Sequence, residues 1–383
     1  MKKVALMKCT DYDQKNVDKA VEDGLALLGG LEKYIRPGMR VLLKVNLLMK
    51  KKPEDCTTTH PAVVEALVKA IQKIGAYPVI GDSPGGPFLE GILRGIYEAT
   101  GMGEVAERTG AELFYDTGTV DVCYPEGRLL KKITISSMVH HADAVISVGK
   151  LKTHGMTGYT GAVKNLFGVI PGVTKVEYHF RMPDLRNFSD MLVDLCEYVK
   201  PVLSVIDGIV GMEGAGPSAG DPRKVGALIL SDCPHSADVT GISLMGVDPL
   251  NICTIQRARE RGIITGVLKD VRVLGTPVED LLVKDFKLAL PHDIHFMKGR
   301  FPYLPKSLEK RINNWLTPKP VFMEDVCKGC WDCERNCPPK AIKMVDRKPQ
   351  VDLEQCIRCF CCQELCPHMA VQIKRPWIFR RIK

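Results

Sequence analysis

The chain has 383 residues, enough for two or three domains, and 45% of them are hydrophobic, as in an ordinary globular protein. No apolar run approaches the roughly 18 residues that span a bilayer, which excludes a transmembrane segment. The formal net charge of +8 sits in two short blocks, 298–320 and 374–383, and the remainder is slightly acidic. This argues against nucleic acid as a partner and leaves a solvated linker and tail, or docking to an acidic protein or an anionic membrane surface.

The opening MKKVALMKCTDYD has an apolar run of only four residues before Lys8, too short for a secretory signal, and reads as the first strand of a cytoplasmic protein. Continuous apolar runs follow at 40–46, 76–83, 142–150, 202–208 and 225–232. Such runs suit strands buried on both faces. Amphipathic helical periods lie at 16–28, 61–75, 184–199 and 235–246. The alternation predicts an α/β domain with a mostly parallel sheet over residues 1–298.

Ligands of open α/β sheets bind beyond the carboxyl ends of the strands, and four of these ends carry polar residues. The first ends in Lys44 and Asn46, ahead of a helix that begins at TTTHP. The second ends in GDSPGGP, with Asp82, Ser83, Gly85 and Gly86; it reads as an anion cradle or as an ordinary tight turn. The third opens GKLKTHGMTGYTGAVKNLFGVIPG, residues 149–172, which offers Lys150, Lys152, His154, Lys164 and Asn165. The fourth ends in Asp207 and leads into a glycine-rich loop bearing Glu213. We expect Lys164, His154 and His179 to act on a small anion, with either histidine moving a proton or ligating a metal, and the other rim residues to bind it. The bland alternative makes the glycines turns and the lysines solvated.

A basic, proline- and aromatic-rich linker at 299–320 precedes a cysteine-dense module at 321–375, and 376–383 form a basic tail. Cys327, Cys330, Cys333 and Cys337 are followed by Pro338; Cys356, Cys359, Cys362 and Cys366 repeat the spacing before Pro367. In such doubled runs three cysteines of one run hold a 4Fe-4S cluster and the fourth ligates the other. One set is therefore Cys327, Cys330, Cys333 and Cys366, and the other Cys356, Cys359, Cys362 and Cys337. Structural zinc, the competing reading, favours two C-x2-C pairs around a longer spacer. Cys361 falls outside the pattern as a packed thiol. Cys9, Cys56, Cys123, Cys196, Cys233 and Cys253 read as small buried hydrophobes. Residues 340–352 form a hairpin, and 369–374 supply its pseudo-symmetric counterpart.

The module resembles the small α+β bacterial ferredoxin with two 4Fe-4S clusters. Together, KVN, TTTHP, GDSPGG, GKLKTH, TGAVKNLFGVIPG and DGIVGMEGAGP make the large domain similar to the domain-of-unknown-function 362 family. That resemblance implies iron–sulfur clusters and anaerobic metabolism, and no agreed activity. Lys164, Pro171-Gly172 and His179 also loosely resemble the nickel-pincer lactate racemases, which would imply a lysine tether and histidine metal ligands. The expected function is an iron–sulfur oxidoreductase passing electrons, with a redox partner protein, to or from a small anion on the rim. The alternative is a non-enzymatic electron-transfer or metallocofactor-assembly partner. No flavin or nicotinamide fingerprint is present, and any additional cofactor is left open.

Overall fold

The computed structural model describes residues 1–172, 174–288, 308 and 317–374. The expected boundary at 298, most of the basic linker and the whole basic tail lie outside the described residues. The large domain contributes strands β1 (Lys2–Lys8), β2 (Arg40–Lys44), β3 (Tyr77–Gly81), β4 (Glu112–Leu113), β5 (Thr119–Cys123) and β6 (Lys132–Ser136). These are followed by β7 (Ala144–His154), β8 (Gly158–Thr160), β9 (Leu203–Glu213), β10 (Asp221–Ser231) and β11 (Val271–Gly275). Nine of them form one sheet in the order β11-β1-β10-β9-β7-β2-β3-β4, with β8 folded back on β7. Strands β9, β7, β2, β3 and β4 are mutually parallel.

The reversals are β8 and β10, each antiparallel to its neighbours. Short connections cause both, because a few residues can join strands only as a hairpin, whereas a parallel pair needs a crossover. Helices supply those crossovers and cover both faces. Val41 and Leu43 point into one core under helices Gln14–Leu28 and Pro61–Lys73, while Leu42 points into a second core under helix Leu185–Val199. All eleven residues of β7 are therefore buried, including its two lysines and His154.

Two sequence expectations change. The stretch from Gly149 is not a loose loop: β7 runs on to His154, turns back as β8, and enters a short helix at Ala162–Asn165. Likewise β9 does not end at Asp207 but continues to Glu213, held by its ladder with β10. The six scattered cysteines are buried except Cys253, which is half-buried, and Cys123, which is exposed on β5.

The cysteine module pairs β12 (Lys319–Phe322) with β15 (Val371–Lys374), and β13 (Ile342–Val345) with β14 (Lys348–Val351). The expected hairpin turns at Asp346 and Arg347, both with positive φ, as a tight two-residue turn requires. Its halves repeat 29 positions apart: Gly329 and Arg358, Trp331 and Phe360, Lys340 and Met369 share left-handed φ values of 63 and 57°, 65 and 60°, 55 and 53°. These bends fall inside or just after each cysteine run.

Asp238 fixes the segment that follows β8. Its buried carboxylate accepts the backbone N–H groups of Ala162 at 2.6 Å and Val163 at 3.0 Å. Asp238→Ala strands both donors and is expected to cost about 3 kcal/mol, lowering Tm by about 5 °C. A melting curve within 1 °C or so of wild type would refute this anchoring.

Candidate functional site

The carboxyl ends of β2, β3 and β7 and the segment around Lys164–His179 enclose a cavity of about 70 Å³. Its last wall comes from the cysteine module: Cys361, Glu364 and Leu365 of the helix Cys361–Glu364 and the residue after it. Close approach requires Gly85, where a Cβ would collide with Leu365. Two hydrogen bonds hold the helix there. Ser218 Oγ donates to the Glu364 carbonyl at 2.7 Å, and Gln363 Nε2 donates to the Ala215 carbonyl at 2.8 Å.

Lys44, Asn46, Asp82, Ser83, Gly85, Gly86, Lys152, Lys164, Asn165 and His179 all line this cavity. Lys44 is fully buried and pairs with Asp82 at 2.8 Å, while Asn165 Oδ1 accepts from its Nζ at 3.2 Å. Burial pulls the Lys44 ammonium below its usual range, and Asp82 opposes that shift. Gly168 leaves room for the pair, since a Cβ there would strike both partners. Asn165 in turn donates to the Lys44 carbonyl at 2.9 Å and to Ser147 Oγ at 3.0 Å.

Two further lysines meet only neutral oxygens. Lys152 donates to Asn46 Oδ1 at 2.8 Å and the Thr57 carbonyl at 2.6 Å. Lys175, which the sequence reading missed, donates to the carbonyls of Ser83 and Ile170, both at 2.6 Å, and reaches Ser83 Oγ at 3.1 Å. Burial brings each amine down to about 7, near half-protonation at neutral pH. Lys164 makes no hydrogen bond among the described residues and lies 5.9 Å from the Phe167 ring centre. Burial lowers its pKa as well, against the attraction of Glu364.

His154 does not line the cavity wall itself but reaches it through Glu364, whose Oε2 lies 3.6 Å from His154 Nε2. His179 stacks on Phe188 with ring centres 4.5 Å apart, and its buried Nδ1 has no hydrogen-bond partner. Burial drives His154 down to about 4 and His179 to about 3, so both rings are neutral. The carboxyl of Glu364 is held well below its usual range against burial by His154, Lys164 and His179.

Three expected rim residues lie elsewhere. Lys150 forms a fully buried pair with Asp207 at 2.8 Å, and Tyr12 bridges them, accepting from Lys150 at 2.8 Å and donating to Asp207 at 2.9 Å. Glu213, at the end of β9, accepts the Lys287 backbone N–H at 3.0 Å. Residues two apart on a strand share a face, but the register shifts between Lys150 and Lys152, and the two lysines reach different partners.

One of the two expected cysteine sets is gathered around a common cavity. Cys327, Cys330, Cys333 and Cys366 line one cavity walled by Met344, Ala370 and Val371. Burial and the other three thiols push Cys333 up to about 12. Cys362 is raised well above the usual thiol range by burial and then by Cys359, Cys356, Cys333 and Cys337. Four thiolates so placed repel one another unless a cationic centre joins them. Backbone N–H groups of Ala341 and Ala370 donate to Cys337 Sγ at 3.2 Å and Cys366 Sγ at 3.3 Å, the kind of contact that tunes a cluster's potential. The donor set and the apolar walls fit 4Fe-4S ligation.

Two expectations follow from this electrostatic layout. Lys150→Met leaves Asp207 buried without its cation and should destabilise by about 3–5 kcal/mol in urea unfolding; a Lys150→Met, Asp207→Leu double variant should recover part of it. A silent single variant would show the pair to be dispensable. The second expectation concerns acid. His179, faced by Glu364, Lys164 and His154, has a folded pKa of about 3 against an ordinary 6.5. Below pH 6.5 the unfolded chain binds the extra proton, so stability falls as pH falls. Between pH 7 and 4.5 wild type should lose roughly 2–3 kcal/mol more than His179→Gln, and parallel pH profiles would refute the buried neutral ring.

Among the described residues no helix is long and apolar enough to cross a membrane. The profile of the family described as domain of unknown function (DUF362) matches residues 41–243, and that of a 4Fe-4S dicluster domain matches residues 319–367. A thylakoid-associated protein of Synechocystis sp. is 33% identical over 298 residues, 75% of this chain and 88% of that one. Among solved structures, the lactate racemase apoprotein from Thermoanaerobacterium thermosaccharolyticum aligns at 12% identity over 61% of this chain and 54% of that chain, with a TM-score of 0.39. A protein from Thermotoga maritima aligns at 15% identity over 54% and 53%, with a TM-score of 0.31. This chain spans about half the length of each of those two structures. It belongs to the DUF362 family and carries a C-terminal 4Fe-4S dicluster domain.

Proposed function

We propose that two 4Fe-4S clusters in this protein exchange electrons with a small anion held in the lysine-lined cavity. One cluster would sit on Cys327, Cys330, Cys333 and Cys366, the other on Cys356, Cys359, Cys362 and Cys337. Residues 1–298 act as the binding domain and 321–375 as the cluster domain, with basic flanks at 299–320 and 376–383 that suit an acidic redox partner. The setting is the reducing cytoplasm, where cluster thiolates escape disulfide formation. The observation that carries this reading is the shared wall: Cys361, which lies between the cluster ligands Cys359 and Cys362, lines the same cavity as Lys44, Lys152, Lys164 and Lys175.

When bound, the clusters supply one electron each. The remaining duties fall to the chain. Lys164, lacking a partner of its own, receives the anion's charge; Lys44 is already matched by Asp82 and sets the local field. Lys152 and Lys175, near half-protonation, give or take the protons that balance arriving or departing electrons. The module wall keeps water from the ligand, which strengthens every charged contact inside.

Anaerobic reconstitution should yield about eight iron atoms per chain, with visible absorbance that bleaches on reduction. Zinc, or about four iron atoms, would overturn the two-cluster assignment. Titration of the loaded protein with acetate, formate and inorganic phosphate tests the cavity. Lys164→Ala should weaken the best-bound probe by about 10- to 100-fold, the worth of a charge-assisted hydrogen bond, with iron content and Tm unchanged. Undiminished affinity in that variant would move the site elsewhere.

A further inference from the structure

His154 has a defined protonation pattern. Its Nδ1 accepts the backbone N–H groups of Met156 at 3.1 Å and Thr157 at 3.2 Å. The proton of the neutral ring therefore sits on Nε2. A neutral histidine that ligates a metal through Nε2 must carry its proton on Nδ1 instead, where two donors already point. His154 is accordingly a donor to an oxygen and not a metal ligand.

The oxygen it faces belongs to the protein. Glu364 Oε2 stands 3.6 Å from His154 Nε2, beyond a full hydrogen bond, and that nitrogen has no other partner. Lys164 adds a positive field at the same point without holding the carboxylate within 4.0 Å. Glu364 thus supplies the anion of the cavity and is held there loosely. The helix that carries it is anchored by other groups, through the Glu364 carbonyl to Ser218 and the Gln363 amide to Ala215. The side chain can leave while the helix stays docked.

We propose that the cavity's ligand is a small carboxylate and that Glu364 is its resident stand-in, displaced when the ligand binds. This rests on the anion-site reading above and adds the ligand's class and an exchange step. Three features select a carboxylate. The group already there is a planar, two-oxygen monoanion of that size. The cavity is lined by Lys44, Lys152, Lys164 and Lys175, a cationic wall that suits a small anion. Two carboxylates cannot share the donors, because like charges in a buried site exclude each other. Exchange is an ion-for-ion replacement that makes and breaks no covalent bond and moves no electron.

The test uses the reconstituted, reduced holoprotein titrated with acetate and with inorganic phosphate, read by calorimetry and by the electron paramagnetic resonance of the clusters. Glu364→Gln keeps the shape and removes the competing charge, so it should bind acetate at least about tenfold more tightly than wild type. Both proteins should prefer acetate to phosphate. Equal or weaker acetate binding by Glu364→Gln overturns the exchange, and phosphate binding as tight as acetate overturns the carboxylate assignment. Should the variant not take up its iron, wild type answers the question alone. Carbon-13 acetate moves its own infrared band away, so a shift of an unlabelled protein carboxylate band on binding reports Glu364 leaving, and no shift overturns the exchange. If acetate and phosphate bind to neither protein, the anion-site reading fails with it; measurable binding that Glu364→Gln does not tighten sinks the exchange alone.

Discussion

Five lysine side chains, Lys44, Lys150, Lys152, Lys164 and Lys175, enter the interior around one group of strand ends, and three of them are wholly buried. An ammonium taken out of water costs on the order of several kcal/mol unless partners replace its hydration. The architecture around the site is organised by how each lysine meets that demand. Lys150 and Lys44 take carboxylates from the neighbouring parallel strands, Asp207 after β9's start and Asp82 after β3. Lys152 and Lys175 take carbonyl and amide oxygens from loops that exist in their present form to present them. Lys164 takes nothing from its own domain, and the deficit is met across the interface by the field of Glu364.

The cysteine module is therefore part of the pocket and not an appendage to it. Leu365 fits against Gly85, Ile373 approaches Gly155, and the polar contacts at Ser218 and Ala215 fall between them. The same short helix lies between Cys359 and Cys366, and the left-handed bend at Phe360 that starts it belongs to the loop wrapped for cluster ligation. The bend at Phe360 and the helix that completes the cavity wall thus belong to one loop of the cysteine module. Cys361, which lines the cavity, is the residue immediately before Cys362.

Much of this was legible in one dimension, for definable reasons. The five apolar runs are all strands and the four amphipathic stretches all helices, because burial on both faces of a parallel sheet leaves continuous apolar sequence. The cysteine spacing marked the 4Fe-4S dicluster domain, since its pattern is local and repeats at a fixed offset. What the sequence concealed is long-range. Nothing near Lys150 signals that Asp207 and Tyr12 will claim it, so it looked as available as Lys152. Glu364 sits in a motif read for iron, and only docking turns its carboxylate toward His154. Lys175 has four oxygen acceptors drawn from Ser83, Pro84 and Ile170, a set assembled by loop geometry that no pattern of residue types announces.

The internal repeat of the module gives the proposed electron path a direction. Trp331 and Phe360 occupy matching positions with the same left-handed backbone, yet Trp331 is 37% exposed and Phe360 only 6%. The buried member precedes Cys361 and the cavity wall; the exposed one lies beside Cys330 and Cys333. A module with two equivalent halves has thus been placed with one half against the large domain and the other toward solvent. An exposed tryptophan at the outer half offers a partner an apolar anchor of the kind that dominates recognition surfaces. Among the described residues the inner half meets the large domain through Leu365 against Gly85, the Glu364 carbonyl on Ser218 and the Gln363 amide on Ala215. In the proposed path a protein partner would meet the Cys327, Cys330, Cys333 and Cys366 set first. On that reading the Cys356, Cys359, Cys362 and Cys337 set would be the inner one, because the loop that carries Cys359 and Cys362 also carries Cys361, which lines the lysine cavity.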